Sequence, residues 1–440
     1  MEAKNNPKTI RAWAMFDWAN SAYNLVITST IFPAYYVAIT QNEAAGNKVS
    51  FFGMRFVNTA LTDYALATAY LIMVILLPVL SAVADYRGNK KIFMQFFTLL
   101  GSLACCGLFF FKASTLELGV ICFALAAIGY SGGFVFYNSY LPEIASIDMQ
   151  DKVSAKGFTF GYIGSVLLQL VCFAFVLKPE IFGIIDKSLP ARLSFLLVGV
   201  WWIGFAMIPF SVLPKGSPNA QSHHKNIIKG GFKELGKVWH KVKNMPLLKR
   251  FLPSFFFYSM GVQTIMLVAT GFAAKELKME TSALISIILI IQLVAIVGAT
   301  LMSRLSDKYG NVRVLIFVVL IWIGVCIAAY FTTTSTQFYI IAVVVGLVMG
   351  GIQSLSRSTY SKFLPENISD TASFFSFYDV TEKLAIVGGL FSFGFVEELT
   401  GSMRNSTLIL GTFFVIGLLL LFSLLKTEKI LKKNAEFSAS

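Results

Sequence analysis

Three acids and a lysine stand in stretches otherwise apolar enough to enter a bilayer. Asp17 lies within Arg11–Tyr36, and Asp379, Glu382 and Lys383 lie together within 371–396. An aspartate at the centre of a lipid-exposed helix costs about 2.5–3.5 kcal/mol on insertion scales, so such residues face a protein interior or a water-filled cavity. At 3.6 residues per turn, Asp17, Asn20, Ser21, Asn24 and Thr28 fall at i, i+3, i+4, i+7 and i+11, one polar stripe, while Phe16, Trp18, Leu25 and Ile27 point elsewhere. A carboxylate on such a stripe can bind a cationic group, carry a proton or close a gate. The alternative is a local pair with Arg11. Asp379 and Lys383, at i and i+4, can pair on one face, which leaves Glu382 as a lone carboxylate suited to proton coupling. The alternative there is a satisfied ion-pair lock between helices.

Neutral polar residues at helical spacing complete the set. They are Tyr130, Tyr137 and Asn138 in one span, Tyr258, Gln263 and Thr264 in a second, and Gln353, Ser354 and Arg357 in a third. Taken singly each suits helix packing; together they describe a pocket for a small polar or zwitterionic solute.

The elements that must position these residues follow from composition. Of 440 residues, 56% are hydrophobic and 13% charged, against about 25% charged in soluble proteins. This is the composition of a multi-pass membrane protein. Twelve segments reach the ~20 apolar residues that cross a bilayer: 12–39, 64–84, 91–111, 116–140, 157–177, 191–213, 250–274, 282–303, 312–331, 336–363, 371–396 and 406–426. The expected fold is all-α integral membrane, twelve transmembrane helices in two pseudo-symmetric six-helix halves. Its expected parts are 1–213, a linker at 214–249, and 250–440.

The net charge of +13 sorts by side rather than forming a nucleic-acid surface. Twenty-six of the 36 Lys and Arg fall on the side shared by both termini and the linker, nine on the other, and Lys383 within a span. The positive-inside rule makes that side cytoplasmic, and the plasma membrane is the expected location. The first apolar segment is too long for a signal-peptide core and reads as a retained span.

The halves repeat. "SAVADYRGNKK" (Ser81–Lys91) corresponds to "SRLSDKYGNVR" (Ser303–Arg313), with Asp85 and Asp307, Gly88 and Gly310, and Asn89 and Asn311 each 222 apart. "YLPE" (Tyr140–Glu143) corresponds to "FLPE" (Phe363–Glu366) at an offset of 223. In each of these loops the glycine supplies a tight turn, and the aspartate can cap the next helix. With Lys90 and Arg313 nearby, the acids can also form a latch that breaks during a conformational cycle.

The D-x-x-G loop after the second span of each half, with spans divided six and six, resembles the major facilitator superfamily over nearly the whole chain. Ser81 and Ser303 stand where the superfamily pattern has its first glycine. Within it, "FDWANSAY" (Phe16–Tyr23), "FYNSYLPEIA" (Phe136–Ala145) and "FFSFYDVTEKLA" (Phe374–Ala385) are similar to the family that includes the autophagy-linked vacuolar amino-acid effluxers. That resemblance implies a monomeric transporter of small solutes with rocking halves, with no cofactor, with Asp85, Gly88, Lys90, Asp307, Gly310 and Arg313 in gating, and with the first helix of each half lining the solute pathway. Family members often carry an acid in span 7; here the corresponding "YSMGVQT" (Tyr258–Thr264) has none.

Other classes are narrowed by what the sequence lacks. There is no G-x-x-x-x-G-K-[ST] for ATP. His223, His224 and His240 all fall in the linker, and Cys105, Cys106, Cys122, Cys172 and Cys326 lack metal-ligand spacing, so no metal site or intramembrane enzyme is expected. The leading expectation is a secondary transporter of an amino-acid-like solute, with proton-coupled efflux through Asp17 or Glu382. A lipid or lipid-precursor flippase on the same scaffold is the alternative. In the linker, Ile228, Phe232, Leu235, Trp239 and Val242 form an apolar stripe beside lysines at 225, 229, 233, 237 and 241. This pattern predicts a helix lying on the anionic leaflet, in contact with membrane lipids.

Overall fold

The computed structural model describes residues 4–41, 47–215, 227–365, 368 and 370–439. The chain divides into two compact units, Met1–Asn138 with Phe160–Gln221, and Ser139–Thr159 with Ser222–Ser440. The segment Ser139–Thr159, which precedes the rest of the fifth span, is thus part of the second unit. The expectations on His223, His224, Lys225 and Glu366 lie outside the described residues, as do those on the side chains of Ile228, Lys229, Phe232 and Leu235.

In the first unit, helix α1 (Pro7–Ala22) runs through a π-helical segment (Tyr23–Ile31) into α2 (Phe32–Thr40), forming one long first helix. A two-residue hairpin follows, β1 (Lys48–Phe51) paired antiparallel with β2 (Met54–Val57). It turns at Phe52 and Gly53, whose φ of 46° and 81° give the left-handed pair that matches strand twist. Then come α3 (Asn58–Arg87), α4 (Lys90–Gly107) and α5 (Leu116–Ser139), and, after the single turn α6 (Leu141–Ile144) and the first turns of α7 (Gln150–Leu177), which belong to the second unit up to Thr159, the rest of α7 and α8 (Leu189–Val212). The second unit holds α9 (Ile227–Asn244), α10 (Pro246–Glu276), α11 (Thr281–Tyr309), α12 (Asn311–Phe331), α13 (Ser335–Lys362), α14 (Thr371–Thr400) and α15 (Met403–Ala439). Apart from α6 and the linker helix α9, these make twelve long helices. Eleven are apolar enough to cross a membrane by length and composition. The twelfth, α14, carries Asp379, Glu382 and Lys383 in its middle.

The helices overrun the expected spans because a bilayer limits only their apolar part. Large apolar side chains stay exposed along them, among them Leu71, Ile75, Phe96, Leu103, Val297, Phe391 and Leu419. A water-soluble surface rarely tolerates patches of that extent; hydrocarbon does.

Two backbone devices set the frame. Gly88 (φ 64°) ends α3 in the left-handed conformation, and its N–H donates to the Asp85 carbonyl. Gly310, at φ 86° and ψ 146°, occupies a region essentially confined to glycine. The residues at the cap positions themselves, Asn89 before α4 and Gly310 before α12, make no side-chain cap. The other device is close helix approach. A Cβ on Gly298 of α11 would lie 2.0 Å from the Leu347 carbonyl oxygen, and one on Gly350 of α13 would lie 2.1 Å from that of Ala295. Backbone cannot yield as a side chain can. Gly298→Val is therefore expected to lower stability by about 1–3 kcal/mol, read as a fall in the thermal midpoint of the purified protein. An unchanged midpoint would mean that the two helices can separate freely.

Candidate functional site

The first unit holds a polar cluster built on Asp17, which is 1% exposed. Its carboxylate accepts from the Tyr137 hydroxyl (2.9 Å, Oδ2) and the Ser21 hydroxyl (3.2 Å, Oδ1). Tyr137 is fixed from α5 by stacking on Trp13 at 4.3 Å and on Phe16 at 5.0 Å. The Trp13 indole N–H donates to the Tyr137 carbonyl at 2.9 Å. Arg11 is exposed, and the partners described for Asp17 are hydroxyls. One turn along, Asn20 is fully buried, and neither atom of its amide has a hydrogen-bond partner among the described residues. A buried, unmatched amide costs about 1–3 kcal/mol, so a polar ligand that met both its donor and its acceptor would recover that loss. Tyr130 packs its ring on Tyr23 at 5.2 Å, and Asn138 is buried beside Tyr137.

Beyond Ala22 the winding changes. The π-helical segment from Tyr23 to Ile31 winds more widely, with Asn24 and Thr28 half-buried along it, as Ser21 is before it. Hydroxyls hold the wider turn: Ser29 donates to the Asn24 carbonyl (2.9 Å) and Thr30 to the Leu25 carbonyl (2.8 Å), both five residues back. Pro33 has no N–H to offer the Ser29 carbonyl. Thr30 Oγ1 also lies 2.9 Å from the side-chain amide of Gln169 of α7, which fixes the segment from outside.

The second unit brings together the other predicted residues. Gln263 of α10 donates to Glu382 Oε1 of α14 at 2.9 Å. Lys383 lies 3.2 Å from Asp379 Oδ1 and 3.7 Å from Glu382 Oε2. The expectation of Glu382 as a lone carboxylate is therefore corrected: it shares Lys383 with Asp379 and accepts from Gln263. Gln263, Glu382, Gln353, Tyr258, Ser356 and Tyr378 all line one small pocket. In it the Tyr258 and Ser356 hydroxyls are 2.7 Å apart. Span 7 has no acid, and the acid of this cavity comes from α14 instead. A larger cavity of about 50 Å³ among Ile265, Phe272, Phe338, Phe393 and Leu410 has no charged side chain and offers a polar solute little to bind.

A third cluster forms where Ser139–Thr159 meets the helices of its unit. Asp151, whose side chain is fully buried, receives Lys362 Nζ at 2.5 Å, the Ser306 hydroxyl at 2.9 Å and Asn311 Nδ2 at 2.7 Å. Asn311 Oδ1 in turn accepts from Lys362 at 3.0 Å. Lys152 pairs with Asp307 at 3.2 Å. The buried guanidinium of Arg357 donates to Ser154 Oγ (2.9 Å) and to its carbonyl (2.7 Å), and lies over the Phe158 ring at 4.2 Å. The Thr371 hydroxyl donates to Glu143 at 2.8 Å. In the turn before α7, the Ser146 hydroxyl hydrogen-bonds Asp148 and holds its carboxyl below the usual range.

Of the predicted gating residues, Asp307 enters this cluster through Lys152 and Gly310 makes its turn. Arg313 is exposed. Asp85 and Lys90 are buried at the matching turn of the first unit. Sequence reading missed Asp151, Ser154, Ser306 and Lys362. The signals that reached the cluster were Asp307 and Asn311, singled out by their place in the repeat, and Arg357, expected at a solute pocket but found on Ser154. Among the described residues no group of three or more His, Cys, Asp or Glu could hold a metal ion.

Three comparisons bear on identity. Residues 5–434 match the family model described as vacuole effluxer Atg22 like. The chain is 32% identical over 421 residues to the uncharacterized MFS-type transporter YxiO of Bacillus subtilis (strain 168), covering 95% of each. It is 26% identical to autophagy-related protein 22 of Eremothecium gossypii, covering 96% of this chain and 91% of that one. The proton:xylose symporter XylE has the same fold, with a TM-score of 0.72 over 94% of this chain and 95% of its own, at 14% identity. The architecture is the twelve-helix, two-half fold of major facilitator transporters. The chain belongs to the vacuole effluxer Atg22-like family and is a membrane transporter of the major facilitator superfamily.

Proposed function

We propose that the protein moves a small polar or zwitterionic, amino-acid-like solute by alternating access, in the efflux direction, coupled to protons. The observation that carries this reading is the pairing, within each unit, of a buried acid with amides, hydroxyls and aromatic rings. Asp17 stands with Asn20 and Tyr137 in the first unit, and Glu382 with Gln263, Gln353 and Tyr378 in the second. Such sets offer a cation partner, donors and acceptors to one small molecule. π-Helical turns concentrate at functional sites, which supports placing solute contact at the Asp17–Ile31 stretch. The efflux direction rests on what the family model is called.

The Asp151 cluster acts as the latch of one end state. It is held by a buried carboxylate and broken when the transporter changes state, with Asp307 and Gly310 contributing. The excess of Lys and Arg on one side supports cytoplasmic termini and a cytoplasmic linker, and the reading takes the protein as a monomer in the plasma membrane.

The test is counterflow. Proteoliposomes preloaded with an unlabelled amino-acid mixture are given the labelled mixture outside, with no ion gradient. Wild-type protein is expected to exchange label above empty vesicles, and Asn20→Leu to lower that exchange about tenfold or more, since losing one matched buried amide costs 1–3 kcal/mol. No exchange for any amino acid by the wild type would overturn the substrate class.

A further inference from the structure

The linker helix α9 presents two different faces. Its last turns dock on the unit's own helices. Val238 and Val242 are buried, the Trp239 ring stacks on Phe377 of α14 at 5.6 Å, and Lys241 Nζ reaches Asp370 Oδ2 at 2.6 Å. Asp370 is the residue from which α14 starts, and Thr371, next to it, holds Glu143. The apolar side of these turns is thus occupied by protein rather than lying wholly on lipid, as the sequence pattern predicts. Lys233, Lys237, His240 and Lys243 remain exposed. Lys243 Nζ lies 5.1 Å from the centre of the Trp239 ring, which is half exposed. Lysine beside an amphipathic tryptophan is the composition of a membrane–water boundary. Position agrees: only Met245 separates α9 from α10, the first span of this unit, and Lys249 and Arg250 follow in the first turn of α10.

We propose that the exposed basic face of α9 takes anionic phospholipid headgroups of the surrounding membrane, and that this contact holds α9 against the start of α14. The occupant is a lipid rather than a soluble anion because the basic residues, the exposed indole and the span that follows share one boundary. Charge alone would also attract free phosphate. Trp239 would not. Lipid charge then acts on the helix that carries Asp379, Glu382 and Lys383, and on the Thr371–Glu143 bond of the latch.

The test uses full-length protein in neutral detergent, with the thermal midpoint followed as phosphatidylglycerol or phosphatidylcholine is added. Wild type is expected to be stabilised by phosphatidylglycerol beyond phosphatidylcholine, and the excess should shrink with salt. Each lysine at an anionic surface contributes about fivefold in lipid affinity. K233Q/K237Q/K243Q should therefore raise the half-maximal phosphatidylglycerol concentration by about a hundredfold, with its midpoint in phosphatidylcholine unchanged. K241Q, which breaks the inner contact, should lower the midpoint in both lipids. Equal stabilisation of wild type by the two lipids would overturn the proposal. So would a triple variant that keeps the full excess, or inorganic phosphate reproducing it.

Discussion

Asp151→Ala is expected to lower the stability of the purified protein by about 3 kcal/mol. Removing one member of a buried pair costs about 3–5 kcal/mol because the other charge is left without compensation. The low end applies because Lys362 keeps one-fifth of its side-chain exposure and an Asn311 contact. The second substitution makes the test sharp. Lys362→Met alone strands the Asp151 carboxylate, yet the double variant Asp151→Ala/Lys362→Met removes both charges and should regain part of the loss. The coupling energy in that cycle is then well above the ~0.3–0.5 kcal/mol seen for independent sites. Additive losses would show that the two side chains do not act together. In transport, the same single variants should shift the balance between end states, seen as altered alkylation of cysteines introduced along Ser139–Thr159.

Glu382→Gln is expected to reduce pH-gradient-driven accumulation to the level of empty vesicles while leaving counterflow. The amide keeps the shape of the side chain and an oxygen for Gln263 Nε2, and Lys383 keeps Asp379 at 3.2 Å. What it loses is the capacity to take up and release a proton. Loss of both activities would assign Glu382 to solute binding or packing; retention of both would remove it from coupling. Asp17→Asn is the companion: one of the Tyr137 and Ser21 hydroxyls can still donate to its single carbonyl oxygen and the other can accept from its amide N–H, so the shape survives while the charge goes.

Much of this arrangement was legible in the sequence, for reasons that particular residues show. The helices came from apolar length, and the matching turns from Gly88 and Gly310, 222 residues apart. Asp17, Asn20 and Ser21 were readable because α1 is a regular α-helix to Ala22. The winding from Tyr23 to Ile31 was not legible, because a 3.6-residue rule does not foresee that Ser29 and Thr30 back-bond to carbonyls five residues away. Gln263 and Glu382, 119 residues apart, were each found, but not as partners, since only packing of α10 against α14 brings them together.

The Asp151 cluster was invisible for a different reason. At the repeat offset of 222, Asp151 corresponds to Ser373, and Lys362 to Tyr140. The interaction has no duplicate, so the internal symmetry that exposed Asp85 and Asp307 could not expose it. Lys362 figured only as one of the twenty-six positive charges on one side, and Asp151 stood unremarked between Gln150 and Lys152.

The most direct measurement is accumulation of a labelled amino-acid mixture in proteoliposomes of the wild-type protein, with and without an imposed pH gradient and with a protonophore as control. Accumulation against the solute gradient that requires the pH gradient and collapses with the protonophore is the predicted result. Flux that only equilibrates, at the same rate with and without the gradient, would contradict proton coupling.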